Sequence, residues 1–282
     1  GGPCKTVVVS GNYAYIGFGP RLTILEITNP SYPTALGKTD VLPGVVKDIA
    51  LAGNYACIAN SYSGLQVIDI SNPANPVPVG GYDTSGSASG VAVSGSYAYV
   101  ADGWNGLQVI DITNPANPIL VGGCSTSGTA WGVTVLGSYA YVAEGSTGLQ
   151  VINVSNPANP VRVGGYDTSG NAYGVAVSGN YAYVADGPAG VQVIDISNPA
   201  NPMRVGGYDT YGIADDVLVS NSYVYVADMW NGMQVLNVSN PASPVFIGGY
   251  DTSGYAVETA LSGSYAYVAD DWGGLQIINI AN

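Results

Sequence analysis

The chain has 282 residues, of which 47% are apolar and only 9% charged, and its net charge is −13. Such hydrophobicity with so little charge excludes an intrinsically disordered chain. The scarcity of Lys and Arg argues against nucleic acid and anionic lipid surfaces as partners, because both are bound by clustered basic side chains. No run of about 18 apolar residues occurs, so we expect no membrane span.

Histidine is absent, which limits the chemistry that this chain can perform. Ser-His-Asp and Cys-His catalysis are excluded, and the commonest zinc ligand is missing. The three cysteines have no CxxC pair, which disfavours a metal cage or a disulfide framework. Few lysines, many tyrosines and a low pI favour an extracellular or cell-surface location. The chain starts at Gly1 without a charged-then-apolar leader, which predicts a processed or excised product.

A repeat of about 42 residues runs through the chain. It is marked by an Asn-Pro pair whose prolines are spaced by 43 residues once and by 42 thereafter, at Pro30, Pro73, Pro115, Pro157, Pro199 and Pro241. Each unit reads as four strands of the types VAVSG, YAYVAD, GLQVIDI and PVRVGGYDT. Proline cannot donate to a sheet ladder, so NPANP separates the third strand from the fourth. No segment has helical spacing with caps, which predicts an all-β chain.

Seven copies of the second and third strands predict seven blades, because four antiparallel strands per 40–45 residues form a β-propeller blade. We predict a single domain over residues 1–282, with first strands that start near residues 7, 49, 91, 133, 175, 217 and 259. The motifs GLQVIDIxNPxxP and SGxYAYVAD resemble those of the LVIVD-repeat family of prokaryotic propellers, over essentially the whole chain. This resemblance implies an extracellular or surface-associated protein and no particular activity.

The fourth strand occurs only six times, so the seventh blade is predicted to lack its outer strand. Its third strand would leave a free edge at Gln276, Ile277, Ile278, Asn279 and Ile280. Six residues precede Val7, too few to supply a strand and its connection. An unpaired edge is a template for another chain. Three interpretations stay open: residues outside this sequence cover the edge, a neighbouring subunit donates a strand and builds a polymer, or the blade has three strands.

Antiparallel order places the turns between second and third strands on the same face as the interblade connections. This face holds all four tryptophans, and loops on a rigid scaffold often carry binding residues. Exposed aromatics beside acids suit a sugar, a cationic ligand or a protein, whereas rings packed between blades would be structural. The candidate binding residues are Tyr62, Trp104, Trp131, Tyr173, Tyr211, Trp230, Tyr255 and Trp272.

Carboxyl groups replace glycine at the start of the first strand in three blades, at Asp48, Asp216 and Glu258. Blades six and seven are neighbours, so Asp216 and Glu258 are expected to approach each other beside the channel. With Asp215 they form a candidate metal site, for which calcium is the cofactor that oxygen ligands would favour. We expect no cofactor other than this calcium ion. The same pair is the basis of a hydrolase hypothesis.

Other polar positions are explained by the repeat itself. Five acids end a second strand and lie four residues before a glycine, which indicates turns whose carboxylates accept backbone N–H bonds: Asp102, Glu144, Asp186, Asp228 and Asp270. Asn153 and Asn237 lie in glycosylation sequons, although each replaces a repeat aspartate. We interpret Cys57 and Cys124 as packing residues, and Cys4 as a packing residue or as a bridge between subunits.

The leading hypothesis is a non-enzymatic structural or interaction module that assembles through the free edge, with a protein or a copy of itself as partner. The near-identity of GVAVSGSYAYVADG and GVAVSGNYAYVADG favours a scaffold, since a site requires individual positions to diverge. The alternative is a glycan- or ligand-binding propeller that uses the aromatic and acidic loops. The carboxylate-pair hydrolase comes third.

Overall fold

The computed structural model describes residues 2–281, which form strands, turns and loops without a helix. The strands make seven antiparallel sheets, six with four strands and one with three. The prediction of an all-β, seven-bladed propeller with an incomplete last blade is confirmed. None of the described residues belongs to a helix that could cross a membrane.

The strands of each blade follow one another in the sheet from first to last. Blades 1 to 3 contain β1 Cys4–Ser10, β2 Tyr13–Phe18, β3 Arg21–Glu26, β4 Thr34–Lys38; β5 Asp48–Ala52, β6 Tyr55–Ala59, β7 Leu65–Asp69, β8 Val77–Tyr82; and β9 Gly90–Ser94, β10 Tyr97–Ala101, β11 Leu107–Asp111, β12 Ile119–Cys124. Blades 4 and 5 contain β13 Gly132–Leu136, β14 Tyr139–Ala143, β15 Leu149–Asn153, β16 Val161–Tyr166; and β17 Gly174–Ser178, β18 Tyr181–Ala185, β19 Val191–Asp195, β20 Met203–Tyr208. Blades 6 and 7 contain β21 Asp216–Ser220, β22 Tyr223–Ala227, β23 Met233–Asn237, β24 Val245–Tyr250; and β25 Glu258–Ser262, β26 Tyr265–Ala269, β27 Leu275–Asn279.

First strands begin one residue earlier than predicted in blades 2 to 7 and three residues earlier in blade 1. In blade 1 the strand extends back to Cys4 through a bulge before Thr6. Cys4 N–H donates to the Asp271 carbonyl at 2.8 Å, and Asp271 N–H donates to the Cys4 carbonyl at 3.0 Å. Equivalent bridges join five other pairs of adjacent blades, such as Gly103 with Ala130. The N-terminal segment therefore closes the ring between blades 7 and 1.

A hydrophobic cluster fills each of the seven interfaces between blades. Successive strand residues point to opposite sheet faces, so each second strand packs on both neighbours. In β10, Ala98 and Val100 pack towards blade 2, whereas Tyr99 and Ala101 pack towards blade 4. A fully buried Val, Leu or Ile stabilises the fold by roughly 1.5–3 kcal/mol. This double burial explains why the strands are apolar on both faces.

Candidate functional site

The central channel opens at one end into a cavity of about 410 Å³, here called the channel-mouth cavity. Two adjacent positions of the 42-residue repeat line it. The first position carries Lys5, Lys47, Ser89, Trp131, Tyr173, Asp215 and Val257. The second carries Asp48, Gly90, Gly132, Gly174, Asp216 and Glu258. One position of the repeat thus supplies seven side chains of six different types to one ring around the channel.

The second position divides the channel into a glycine side and an acidic side. On the glycine side, blades 3 to 5 approach so closely that a Cβ at Gly90 would lie 2.6 Å from the Trp131 carbonyl oxygen. On the acidic side a carboxyl bridges two first strands: the Asp48 Oδ2 accepts a hydrogen bond from Val91 N–H of the next blade at 2.7 Å. These acids therefore have a structural role in joining adjacent blades.

The acidic side holds three partly buried carboxyls that line the channel and influence one another. Burial raises the pKa of Asp48 to about 6 and that of Asp216 to about 8, with the charge of Asp48 adding to the second rise. Burial and the charges of Asp48 and Asp216 raise the pKa of Glu258 well above its usual value. Hydrogen bonds from the N–H groups of Thr259 and Val7 partly offset these rises. At neutral pH the three carboxyls are therefore not all ionised, and they titrate as one coupled group.

Two of the six basic residues of the chain stand at the rim of this cavity. Lys5 Nζ forms an ion pair with Asp271 Oδ2 at 3.1 Å. Burial raises the pKa of Asp215 to about 6, although Lys5 and Lys47 both act to lower it. Burial and the charge of Lys5 lower the pKa of Lys47. The cavity thus presents ammonium groups at its rim and partly protonated carboxyls deeper in the channel.

The candidate metal residues Asp215, Asp216 and Glu258 all line the cavity, but they have different neighbours. The charges of the rim lysines act on Asp215, whereas Asp216 and Glu258 accept backbone N–H groups. Within residues 2–281, no three Asp, Glu or Cys side chains are arranged to hold a metal ion. The geometry gives the calcium alternative no support.

The predicted aromatic residues lie on one face, and only two of them line the channel-mouth cavity. Trp131 and Tyr173 stand edge to face, with ring centroids 6.0 Å apart. The other six rings are at least half exposed rather than packed between blades: Tyr62, Trp104, Tyr211, Trp230, Tyr255 and Trp272. The aromatic pair gives the cavity an apolar wall in addition to its acids and lysines.

The second candidate site is the outer side of blade 7, where no strand formed by residues 2–281 lies beside β27. The predicted edge residues Gln276, Ile277, Ile278, Asn279 and Ile280 lie here, and we call this the open edge. Between the open edge and blade 6 lies a groove of about 430 Å³, here called the rim groove. Its apolar lining includes Tyr225, Val235, Ile247, Tyr250, Ile278 and Ile280.

The rim groove exposes side chains that are half-buried in other blades. Val205 and Tyr208 of β20 pack against the cluster between blades 5 and 6. Their counterparts in β24, Ile247 and Tyr250, are both 53% exposed. Burying a side chain of this size stabilises a fold by roughly 1.5–3 kcal/mol, so this exposed pair favours a partner.

A family model for the LVIVD repeat matches residues 1–41, 43–84, 85–126, 127–168, 169–210, 211–252 and 253–282. The chain belongs to the LVIVD-repeat family. None of the curated proteins compared with this chain matches it.

Solved structures show the same fold as this LVIVD-repeat chain. A functionally unknown protein from Desulfotomaculum acetoxidans is similar with 15% identity and a TM-score of 0.78, over 93% of this chain and 90% of its own. The WD40 domain of Neurospora crassa Pan2 has 13% identity and a TM-score of 0.77, over 100% and 90%. The computationally designed Ika8 protein has 12% identity and a TM-score of 0.72, over 99% and 84%. At such identities the likeness extends to the fold alone.

The acids that end second strands in this LVIVD-repeat propeller are fully buried and fasten loops. Asp186 accepts a hydrogen bond from Thr168 Oγ1 at 2.5 Å and another from Gly170 N–H at 2.9 Å. The same Thr-Asp contact recurs at Asp102, Asp228 and Asp270. Glu144 differs, because its carboxyl bonds Thr147 and leaves Thr126 Oγ1 without a partner among the described residues. The acids are structural, as predicted, but the partner that four of them share is a threonine hydroxyl, and within residues 2–281 backbone N–H groups form well-directed hydrogen bonds only with Asp186 and Asp270.

The sequon asparagines Asn153 and Asn237 form the same local turns as the aspartates they replace. Each Oδ1 accepts an N–H two residues on, at 2.9 Å, as the Asp195 carboxylate does at 2.8 Å. Their glycosylation stays a prediction. Cys4 and Cys57 are fully buried, and burial raises the pKa of both thiols to about 12. Cys124 is partly buried against the cluster between blades 3 and 4. A buried Cys4 thiol is not placed to bridge subunits.

Some site residues were missed by the sequence analysis. Lys5, Lys47 and Asp271 at the channel mouth and Ile247 and Tyr250 in the rim groove were not candidates. The signal for the lysines was present, since they occupy the same repeat column as Trp131, Tyr173 and Asp215. No pattern within blade 6 distinguishes Ile247 and Tyr250, because their exposure depends on the neighbouring blade.

Proposed function

We propose that this protein is a non-enzymatic interaction module that binds an extended segment of another chain at its open edge. The observation that carries the proposal is an edge strand, β27, beside an apolar rim groove that bares Ile247 and Tyr250. Strand addition satisfies the edge by main-chain hydrogen bonds, while an adjacent groove receives alternate side chains. The channel acids support a non-enzymatic role, because each joins two blades through a backbone N–H. We also propose an extracellular or cell-surface location, supported by the composition and tested by cell fractionation.

The outward amides of β27 follow from its pairing. Ile280 N–H donates inward, to the Ser264 carbonyl at 2.9 Å. Strand geometry repeats every two residues, so the N–H groups of Ile277 and Asn279 point outward to the open edge. The Asn279 side chain is exposed, which makes this position suitable for a variant that alters the edge alone.

The test is a calorimetric titration of the chain with two blocked peptides. One is an alternating Thr-Val decamer flanked by lysines, and the other is NPANPVRVGGYDT, the sequence of residues 156–168. Saturable 1:1 binding of either supports the proposal, and binding of neither overturns it. Asn279→Pro, which removes an outward N–H, is expected to weaken binding at least tenfold. Asn279→Ala is the matched control, because it loses the same side-chain turn but keeps the N–H.

A second candidate function is binding of a small glycan in the channel-mouth cavity. It is favoured by the Trp131–Tyr173 pair, which offers an apolar wall beside ammonium and carboxyl groups. Sugars are bound by such combinations of aromatic faces and polar side chains. Titration with mono- and disaccharides is expected to change the tryptophan fluorescence, and Trp131→Phe is expected to abolish the change. Trp104→Phe, at a ring outside the cavity, is the control that retains it.

A further inference from the structure

We infer that the open edge selects one kind of segment, an N-P-x-x-P turn followed by a strand of the type that completes blades 4 and 5, which reads V-R-V-G-G in blade 4 and M-R-V-G-G in blade 5. This inference rests on the proposed function and names its partner. It follows from three contacts that are seen in blades with four strands and that are missing in the seventh blade.

The first contact is between a glycine of each outer strand and the Asn-Pro turn of the next blade. A Cβ at Gly206 would lie 2.2 Å from the Pro241 carbonyl oxygen, so only glycine admits the turn. The same close approach, at 2.2–2.3 Å from a proline carbonyl, occurs at Gly37, Gly80, Gly122 and Gly164. A Cβ at Gly248 of blade 6 would meet no atom of the described residues within 4 Å. This position is therefore a socket of the right shape for the turn of an added segment.

The second contact fixes the side chain that follows the turn. Arg162 Nε donates to Gln150 Oε1 at 2.5 Å, and Arg204 Nε donates to Gln192 Oε1 at 2.5 Å. Gln276 holds the equivalent place in β27, and its Nε2 donates to the Gly273 carbonyl at 2.9 Å, as Gln150 Nε2 does to Thr147. Its Oε1 is thus oriented like that of Gln150. An arginine in the added strand would bond to it.

The third contact is aromatic and lies on the blade 6 side. Tyr208 stacks on Phe246, which follows the turn of the next blade, with centroids 6.4 Å apart. Tyr250 is the counterpart of Tyr208 and is half exposed. The residue that meets Tyr250 would be the same arginine that reaches Gln276, and an arginine above a tyrosine ring is favourable.

The register of the added strand follows from blade 4, where Ile152 pairs with Arg162 and Val151 with Gly164. The arginine would accordingly stand opposite Ile278, and the first glycine opposite Ile277. All six copies of the segment within residues 2–281 are already engaged in blades 1 to 6. The added segment therefore comes from outside residues 2–281, and we propose a free segment of this sequence on a partner chain.

The experiment compares NPANPVRVGGYDT with the Thr-Val decamer on the intact chain and on two variants. We expect the segment peptide to bind at least tenfold more tightly than the decamer. Gly248→Val fills the socket and is expected to reduce this affinity tenfold or more, without changing the affinity for the decamer. Gln276→Met is expected to weaken binding of the segment peptide, and so is replacement of the peptide's Arg by Met. Because the two changes remove the same contact, we expect the variant and the altered peptide together to bind no more weakly than either change alone.

The outcomes separate this inference from the proposed function. Equal affinity for the two peptides, or no effect of Gly248→Val, overturns the selectivity and leaves edge binding standing. Binding of neither peptide overturns both. A stable dimer in the absence of peptide, with the open edge blocked, also overturns the inference, since two copies would then have paired edge to edge. Circular dichroism of each variant confirms that it is folded.

Discussion

The interface between blades 5 and 6 resembles the interface between blades 6 and 7 in its inner strands but differs from it at the outer rim. Between the inner three strands both are filled, by Val193 and Val226 in one and by Ala227 and Val268 in the other. At the rim the first is closed by an outer strand and its turn, whereas the second ends in the rim groove. The difference shows that the three inner strands suffice to join adjacent blades. The outer strand adds a rim contact that is separable from the rest.

The largest expected effect is a difference in stability between two glycine variants, one at each of these two interfaces. Gly206→Ala places a Cβ 2.2 Å from the Pro241 carbonyl oxygen, so the turn must shift, and we expect a loss of about 3 kcal/mol. Gly248→Ala meets nothing and is expected to change stability by no more than about 0.5 kcal/mol. Urea unfolding of both variants measures the difference. Equal losses would mean that the socket at Gly248 is already filled.

The threonine contacts allow a second matched comparison between a made and an unmade contact. Thr168→Val removes the hydroxyl that bonds the buried Asp186 carboxyl, and we expect a loss of about 1.5–3 kcal/mol. Thr126→Val removes a hydroxyl without a partner among the described residues and is expected to cost less than about 0.5 kcal/mol. Thermal unfolding gives both values. A similar cost at Thr126 would show that Glu144 reaches it after all.

The acidic side of the channel predicts a pH-dependent stability that a single variant reduces. The folded-state pKa of Asp216 is raised to about 8, so the unfolded chain gives up this proton at lower pH. The stabilisation that arises because the folded chain holds the Asp216 proton more tightly is fully present below the unfolded pKa near 4. It is lost as pH rises towards 8. Asp216→Asn should therefore gain at least about 1 kcal/mol relative to the natural chain between pH 5 and pH 8. Urea unfolding at the two pH values tests this, and an unchanged difference would refute it.

The smallest expected effect concerns the interface between blades 2 and 3. Cys57 stands where the other six blades have tyrosine, and it lines a cavity of about 520 Å³. Cys57→Tyr is expected to stabilise the chain by about 1 kcal/mol, because it fills part of this space. Tyr141→Cys, the reverse change in blade 4, should cost more than Cys57→Tyr gains. Thermal melts of the two variants give the comparison, and a destabilised Cys57→Tyr would show that the cavity cannot take the ring.

Periodicity alone predicted the fold, because a four-stranded unit repeated every 42 residues has few ways to bury both faces of its strands. The same reasoning located the open edge and the aromatic face. It misplaced the start of β1, since the reach of that strand to Cys4 depends on a bridge to Asp271 in the last blade. The repeat marks where a residue stands within its blade but not which atoms of the next blade meet it.

The two sites differ in how far the sequence reveals them. At the channel mouth, a column read every 42 residues contains Lys5, Lys47, Trp131, Tyr173 and Asp215, so its divergence was visible in advance. At the rim groove the residues of blade 6 are ordinary members of the repeat. Their exposure follows from what the neighbouring blade lacks, which is a property of the assembled ring.

The most direct test of the account is amide hydrogen exchange at Ile277 and Asn279, whose N–H groups point to the open edge. We predict rapid exchange in the chain alone and at least tenfold slower exchange with saturating NPANPVRVGGYDT. The equivalent amides of Val193 and Asp195 in β19, which are already paired with an outer strand, should not change. Protection of Ile277 and Asn279 without peptide, or no added protection with it, would contradict the claim that blade 7 offers an open edge to a donated strand.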